Sequence, residues 1–565
     1  MWRRLWILGF GLVAPLGTAR AAADAPAELV LTGGIVHTVD PRRPRAEALA
    51  VRGSRIVAIG TSAEVAALVG RGTRVVELRG RTVIPGFEDA HAHFLGIGLS
   101  RLDVDLVGAE SYAEVVARVA KAVSGRAPGE WIRGQGWHEE KWKAKPEDAV
   151  RGFPTHEALT AVSPANPVVL ERADGHALLL NAKAMAHFGI TPQTQPPAGG
   201  EIIRDANGAP TGVFVDNAQR LVTPEARSDG ELRRALELAM DECLAKGLTA
   251  LVDASQPRDV IALYKELAAA GRLRTRLYVM ASGRKTMQEL GRPETGLGGG
   301  MLDLRAVKLF ADGALGSRGA ALLEPYTDDP GNLGLIRTPP AEMLEAARFA
   351  LAHGFQVGTH AIGDRANRVV LDVYQQALGE RPEVKDPRFR IEHAQILAAT
   401  DIPRFGRLGV LASMQGIHCP SDRPWAPKRL GEARMAGAYA WRKLLDAGAR
   451  ILNGTDAPVE DVSPIQNFHA TVTRASADGQ PPGGFDPDQK LTRDEALRTM
   501  TLDAAYGSFA EKERGSIEVG KLADLVVLSQ DILAVPDEAL MRTAVDLTIV
   551  GGRVLYERRV GSGTD

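Results

Sequence analysis

The stretch "VIPGFEDAHAHF", Val83 to Phe94, runs from apolar residues through a Pro-Gly turn into two histidines one residue apart. In an extended segment alternate side chains share a face, so His91 and His93 point the same way with their imidazoles close together. That is a metal-chelating arrangement. A His-x-His pair is a weak signal by itself, since two polar residues at a strand end read the same way. The rest of the chain decides between them.

The sequence has 565 residues, a formal charge of -2, 45% hydrophobic and 5% aromatic residues. These values suit a globular protein of one large domain or several smaller ones, and they suggest no nucleic-acid partner. Cys243 and Cys419 are too few for a disulfide framework or a thiolate metal site, which leaves His, Asp, Glu or a group made from Lys as ligands. At the N-terminus, basic "MWRR", apolar "LWILGFGLVAPLG" and small residues in "TARAAADA" read as a signal peptide over 1–23, cleaved after Ala21 or Ala23. The apolar run is shorter than the roughly 20 residues of a membrane span, so the expectation is an exported, periplasmic protein with no stable membrane anchor. The pair Arg3-Arg4 also allows twin-arginine export.

From Ala27 the texture changes to short β segments. "ELVLTGGIVHTVD" and "EALAVRGSRIVAIG" read as hairpins turned by Gly-Gly and Gly-Ser, and "KLADLVVLSQD" and "VDLTIVGGRVLYERR" repeat the pattern near the C-terminus. Two isolated hairpins would be marginally stable, so the chain ends are expected to share one small β-sandwich, residues 27–84 with 505–560.

Between the ends, helical and strand-like segments alternate, which favours parallel strands in an α/β architecture. "DGELRRALELAMDECLAKG" leads to "LTALVDA", "DVIALYKELAAAG" to "LRTRLYVMA", and "AEMLEAARFALAHG" to "FQVGTH". Adding "LRAVKLFADG", "FRIEHAQ", "GVLASMQ", "ARILNGTDAP" and the opening stretch gives eight strands. Eight such units predict a (β/α)8 barrel over 85–504, whose reactive residues gather at the C-terminal strand ends. His91 and His93, Lys308, His360, His393 and Asp456 all fall at such ends. The interval 95–229 is long for a connection, and it carries Trp131, Trp137 and Trp142. It reads either as a lid over an apolar substrate group or as an insertion with its own tryptophan-filled core.

The ordered stretches "PGFEDAHAHF", "ERADGHALLLN", "VKLFADGALGSRGA", "THAIGDRANR", "RIEHAQ", "SMQGIHCPSD", "NGTDAPVEDVSP" and "GSIEVGKLADLVVL" resemble the amidohydrolase superfamily, within its amidohydrolase-3 group of YtcJ-like and N-substituted formamide deformylase-like members. The resemblance spans nearly the whole chain. It implies a barrel beside a composite β-sandwich, metal-assisted hydrolysis of an amide- or formamide-like C–N bond by a metal-bound hydroxide, and metal ligands at His91, His93, Lys308, His360, His393 and Asp456. A neutral, buried lysine can take up carbon dioxide, and the resulting carbamate has two anionic oxygens able to bridge two divalent ions such as zinc. His91, His93 and Asp456 would then hold the more buried ion, and His360 and His393 the more exposed one. A bound metal lowers the pKa of water from about 16 to about 7, and Asp456 would carry the proton to the leaving nitrogen.

Other readings stand beside this one. Lys308 could pair with Asp312, four residues on and on the same face of the strand. Asp312 and Arg318 read as a loop over the site, with Arg318 contacting a substrate carboxylate or bracing the loop. His176 and His418 are candidates for substrate contact. His37, His156, His187, His353 and His469 carry no supporting motif and read as core or surface residues. His138 stands where similar sequences carry an acid, and Gly416 where they carry a proline. A mononuclear deaminase, a lactone or ester hydrolase, and a non-catalytic binding protein on the same scaffold are the alternatives.

Overall fold

The computed structural model describes residues 25–223 and 226–559; the expected signal peptide, 1–23, lies outside them. Among the described residues no helix is long and apolar enough to cross a membrane.

Eight parallel strands form the central sheet: β1 (Phe87–Ala92), β2 (Leu248–Gln256), β3 (Arg276–Ser282), β4 (Leu302–Phe310), β5 (Gln356–Ala361), β6 (Arg390–His393), β7 (Leu411–Gln415) and β8 (Ile451–Gly454). Each pairs in register with its neighbour in sequence order. The seam between β8 and β1 is drawn together at its C-terminal end, where Asp456 N donates to His91 O at 2.7 Å and His93 N to Ala457 O at 2.7 Å. The Asp89 carboxylate reinforces it, accepting from His91 N at 3.0 Å and from Thr455 N and Oγ1 at 3.0 and 2.6 Å. The (β/α)8 reading of the sequence is therefore correct. Glycine stops the helices where the alternation needs it: Gly354 ends Pro340–His353 and Gly409 ends Ile402–Leu408, both left-handed.

The stretch 83–94 is two strands rather than one. Thr82–Pro85 belongs to a six-stranded sheet, between Ile35–His37 and Leu525–Leu528, and the chain then turns at Gly86 into β1. A Cβ on Gly86 would meet Thr249 Oγ1 at 2.1 Å, so only glycine lets strand and barrel approach here. That sheet is built from both ends of the chain and packs on a four-stranded sheet through Leu31, Leu49, Val83, Leu525 and Ile549. The expected Gly33-Gly34 hairpin is absent: Leu29–Thr32 and Ile35–His37 lie in different sheets, and the glycines carry the chain across the sandwich. The hairpins at Gly53-Ser54 and Gly551-Gly552 do form.

The interval after β1 builds a sheet of its own, with strands at Val104–Asp105, Ile132–Trp137, Val168–Arg172, Ala177–Leu180, Gly200–Arg204 and Pro210–Asp216. Trp137 and Trp142 are buried in its core with Tyr112 and Leu170, and Trp131 packs on His187 and Phe188. Of the two readings of this segment, the tryptophan-filled core is the one the structure shows. What it delivers to the barrel mouth is polar.

Candidate metal centre and substrate cavity

Six groups from five strands meet at the barrel mouth. His91 closes on Asp456 with Nε2–Oδ1 3.5 Å, and His93 with 3.1 Å. Lys308 Nζ, from β4, lies 3.0 Å from His91 Nε2. His393 ends β6, its ring centroid 5.1 Å from that of His91 and 4.6 Å from that of His360. Two sets of ligand atoms lie within 4.8 Å of one another, His91/His93/Asp456 and His393/His418/Asp456, so Asp456 is common to both. His418 thus stands where His360 was expected. His360 is at the site, but its Nε2 faces Gly313 O at 3.3 Å and Asp312 Oδ1 at 3.5 Å.

The pairing of Lys308 with Asp312 does not occur. Asp312 is fully enclosed, and its carboxylate accepts from Ala321 N, Ile362 N and Gly363 N at 2.8–3.0 Å. It braces loops beneath the site rather than facing substrate. Arg318, also expected over the site, pairs with Asp328 at 3.0 Å and lines no wall of the substrate cavity.

The electrostatics suit cation binding. Burial pushes the Lys308 amine down to about 8 and the His91 imidazole down to about 4, with Lys308 adding to the latter. Burial likewise holds His360 and His393 well below the usual histidine range. The lone pairs of these three imidazoles are therefore available near neutral pH. Burial pushes Asp456 upward, but His93, His393 and His91 outweigh it and hold the carboxylate ionised. Asp456 Oδ1 and His418 Nε2 are buried without a hydrogen bond, the close approach of His93 lacking the alignment for one. Orphaned buried donor atoms converging on one point fit a metal ion between them.

Backbone strain marks the same residues. His393 (φ +75°) and Asp456 (φ +59°) are left-handed, which costs a non-glycine residue on the order of 1–3 kcal/mol and persists only where neighbours over-determine it. The neighbours are present. Gln415 Oε1 binds His393 Nδ1 at 2.8 Å, and Glu392 binds His91 Nδ1 at 2.5 Å, each leaving Nε2 turned inward. Glu392, Gln415 and Asp89 were not read as site residues from the sequence; Glu392 sits inside the quoted "RIEHAQ", and the only local signal is an ionisable residue next to a ligand.

The centre opens into a cavity of about 500 Å³, walled by His93, Lys308, His360, His393 and Asp456 on the barrel side and by Glu171, His176, Asp216 and Arg220 from the inserted sheet. A narrower lobe runs past His138, Leu315, His418, Asp422 and Trp425. Of the two candidates for substrate contact, His176 lines both the cavity and its lobe, and His418 the lobe. His176 Nδ1 binds Asp216 at 2.6 Å, and Asp216 nests against Gly313 and Gly319, where a Cβ would lie 2.3 Å from its Oδ2. His138 packs at 5.9 Å on Trp425 and contacts the buried Arg172 at 3.3 Å. Gly416 N donates to Asn453 Oδ1 at 3.0 Å, a bond that proline could not make.

A (β/α)8 barrel bearing imidazoles, a lysine and a carboxylate at its C-terminal mouth, beside a β-sandwich, defines a class of metal-dependent hydrolases. Within that class the assignment is direct: the Amidohydrolase family model matches residues 74–556, and the chain belongs to that family. It is a hydrolase of C–N bonds. It is 34% identical to Protein LONG AFTER FAR-RED 3 of Arabidopsis thaliana, over 94% of this chain and 92% of that protein. It is 32% identical to the N-substituted formamide deformylase of Arthrobacter pascens, over 94% of this chain and 98% of that protein. The structure of an uncharacterized metal-dependent hydrolase from Pyrococcus horikoshii aligns with a TM-score of 0.73 at 26% identity, covering 90% of this chain and 99% of that one.

Proposed function

We propose that this protein is a binuclear amidohydrolase acting on a small amide or formamide, with zinc as the metal and Lys308 carried as a carbamate. The observation that carries the reading is the burial of Lys308 against His91 and Asp456 at the barrel mouth. Burial disfavours the ammonium form, and a neutral amine adds carbon dioxide, losing one proton, to give an anionic group with two oxygens. His91, His93 and Asp456 would hold one ion and His393 with His360 or His418 the other, with Lys308 as a further ligand. When bound, the metals polarise the substrate carbonyl and acidify water.

The remaining steps belong to side chains. Asp456, ionised and short of a hydrogen bond at Oδ1, receives a proton from the attacking water and passes it to the departing nitrogen, so water and amide become carboxylic acid and amine. Glu392 and Gln415 keep His91 and His393 oriented. The wall formed by His176 and His138 gives the substrate polar contacts, and Trp425 gives its apolar part a surface. The relationship to the N-substituted formamide deformylase favours an N-formyl or similar N-acyl group as the bond broken.

A second reading, a mononuclear enzyme using His91, His93 and Asp456, is favoured by the turn of His360 Nε2 toward Gly313. Metal content per chain, measured after purification without chelator, separates them. Two equivalents with activity proportional to both supports the binuclear reading; one equivalent with full activity supports the mononuclear one.

A further inference from the structure

One wall of the cavity sets two arginines, Arg220 and Arg337, against a single carboxylate, Asp216. Arg337 is largely buried, stands 4.9 Å over the Phe310 ring, and donates through Nε to Asn217 Oδ1 at 3.3 Å. Its nearest carboxylate oxygen, Asp216 Oδ1, is 3.7 Å away and already bonded to His176. Arg220, from the short helix Asn217–Leu221 of the inserted sheet, has no hydrogen bond or ion pair among the described residues. Both guanidinium groups border the 500 Å³ cavity together with Lys308. They also border an adjoining cavity of about 420 Å³ that Arg284 lines, its charge met by Glu345, along with Glu342. Asp216 apart, the acidic groups of the main cavity are engaged elsewhere: Asp456 lies 3.1 Å from His93, Asp174 is bound by Arg172, and the charged neighbours of Glu171 are His93, Asp103, Asp174 and His176.

Two guanidinium groups bordering one half-buried space, set against a single carboxylate, Asp216, itself bonded to His176, are stabilised by a further anion placed there. Their planar forks match a carboxylate in particular. We propose that Arg220 and Arg337 form an anion subsite in the substrate cavity, and that the substrate is an amide bearing a carboxylate, held there while its carbonyl faces Lys308, His393 and Asp456. This rests on the hydrolase reading above and names the substrate class. It also moves the carboxylate contact from Arg318, which is occupied by Asp328, to Arg220 and Arg337.

The carboxylate can lie on either side of the scissile bond, and paired substrates distinguish the two. N-formylphenylalanine against N-formylphenethylamine places it on the amine side; succinanilic acid against butyranilide places it on the acyl side. With the zinc-loaded full chain, the charged member of one pair should be preferred by roughly 10- to 100-fold in kcat/KM, carried mainly by KM. Arg220→Met and Arg337→Met should each bring that ratio close to one. Calorimetric titration with 3-phenylpropionate, with 3-phenylpropanol as its neutral counterpart, gives a readout independent of turnover: the carboxylate should bind, and either variant should weaken it about tenfold. Arg220 is exposed, so its variant keeps the test open if Arg337→Met does not fold. Equal use of charged and neutral partners, or carboxylate binding indifferent to both arginines, would overturn the proposal. If no amide is turned over but arginine-dependent binding of 3-phenylpropionate remains, the hydrolase substrate assignment fails and the subsite stands.

Discussion

The His91 imidazole donates through Nδ1 to the Glu392 carboxylate at 2.5 Å, inside the barrel and out of contact with solvent. Burial pushes that carboxylate upward, but Arg390, His91 and Lys308 outweigh it and keep it ionised, so it accepts and the proton stays on Nδ1. Nε2 is left as the ligating atom. Glu392→Gln preserves shape but lets the ring choose its tautomer, and metal affinity should fall about 10- to 100-fold, read by competition against a chelating dye. Unchanged affinity would mean that packing alone orients His91.

Metal-free protein should lose stability on acidification. Burial pushes His91 down to about 4 from 6.5, so between those values the unfolded chain binds a proton that the folded chain refuses. Stability from this group is complete above pH 6.5 and declines as pH falls toward 4, by about 3 kcal/mol. Urea midpoints in chelator at about pH 7 and about pH 4.5 measure it, and His91→Gln should reduce the difference, the part due to His360 and His393 remaining. A midpoint that does not move across this window contradicts the assignment.

Lys308→Ala should lose metal and activity, leaving space between ligand-deficient ions. Acetate or propionate should restore part of both by supplying two oxygens, and Lys308→Arg should not respond, since its charge and bulk remain. Metal-free wild-type protein should also reactivate faster when bicarbonate accompanies zinc. Two metals and near-normal turnover in Lys308→Ala without added carboxylate would exclude the carbamate.

Gly313→Ala places a methyl group 2.3 Å from Asp216 Oδ2, and the Asp216–His176 pair must shift. Turnover should fall by ~100-fold, the order expected for a misplaced contact in a preorganised site, while metal content stays the same. Activity within twofold of wild type would show that His176 is not positioned by this pair.

His93→Ala and His353→Ala separate ligation from general effects. The first should lower metal occupancy and activity together; His353, stacked on Phe349 and bonded to its carbonyl, should change neither. His37 does not serve as a neutral control, because it is buried and binds Asp531 at 2.9 Å. His37→Ala should leave metal content unchanged but lower stability by about 1–3 kcal/mol.

The barrel was legible because each helix-to-strand passage carries local signals, such as Gly354 before "FQVGTH", and because ligand types recur at successive strand ends. The Gly33-Gly34 corner was misread because a glycine pair permits a hairpin and a sheet-to-sheet crossing equally well. The alternative pairing of Lys308 with Asp312 assumed that side-chain alternation runs on to Asp312, but the strand stops at Phe310, and only the folded loops at Ala321 and Gly363 reveal the amides that Asp312 serves. Arg220 and Arg337 lie 117 positions apart, and neither stands in a motif; that they border one cavity depends on the inserted sheet descending over β4.

The passage from Thr82–Pro85 into β1 has a consequence for how the molecule is made. Thr82–Pro85 hydrogen-bonds to Leu525–Leu528, and Gly86 N to Asp524 O, so the segment leading to His91 and His93 gains its flanking partner from residues synthesised more than 400 positions later. A nascent chain can complete the inserted sheet and several strand-helix units while still on the ribosome, but the base of β1 is anchored only when the last strands emerge. Chains truncated before Leu525 should therefore accumulate as metal-poor, protease-sensitive species, and the ligand cluster is in effect a report that translation has run to its end.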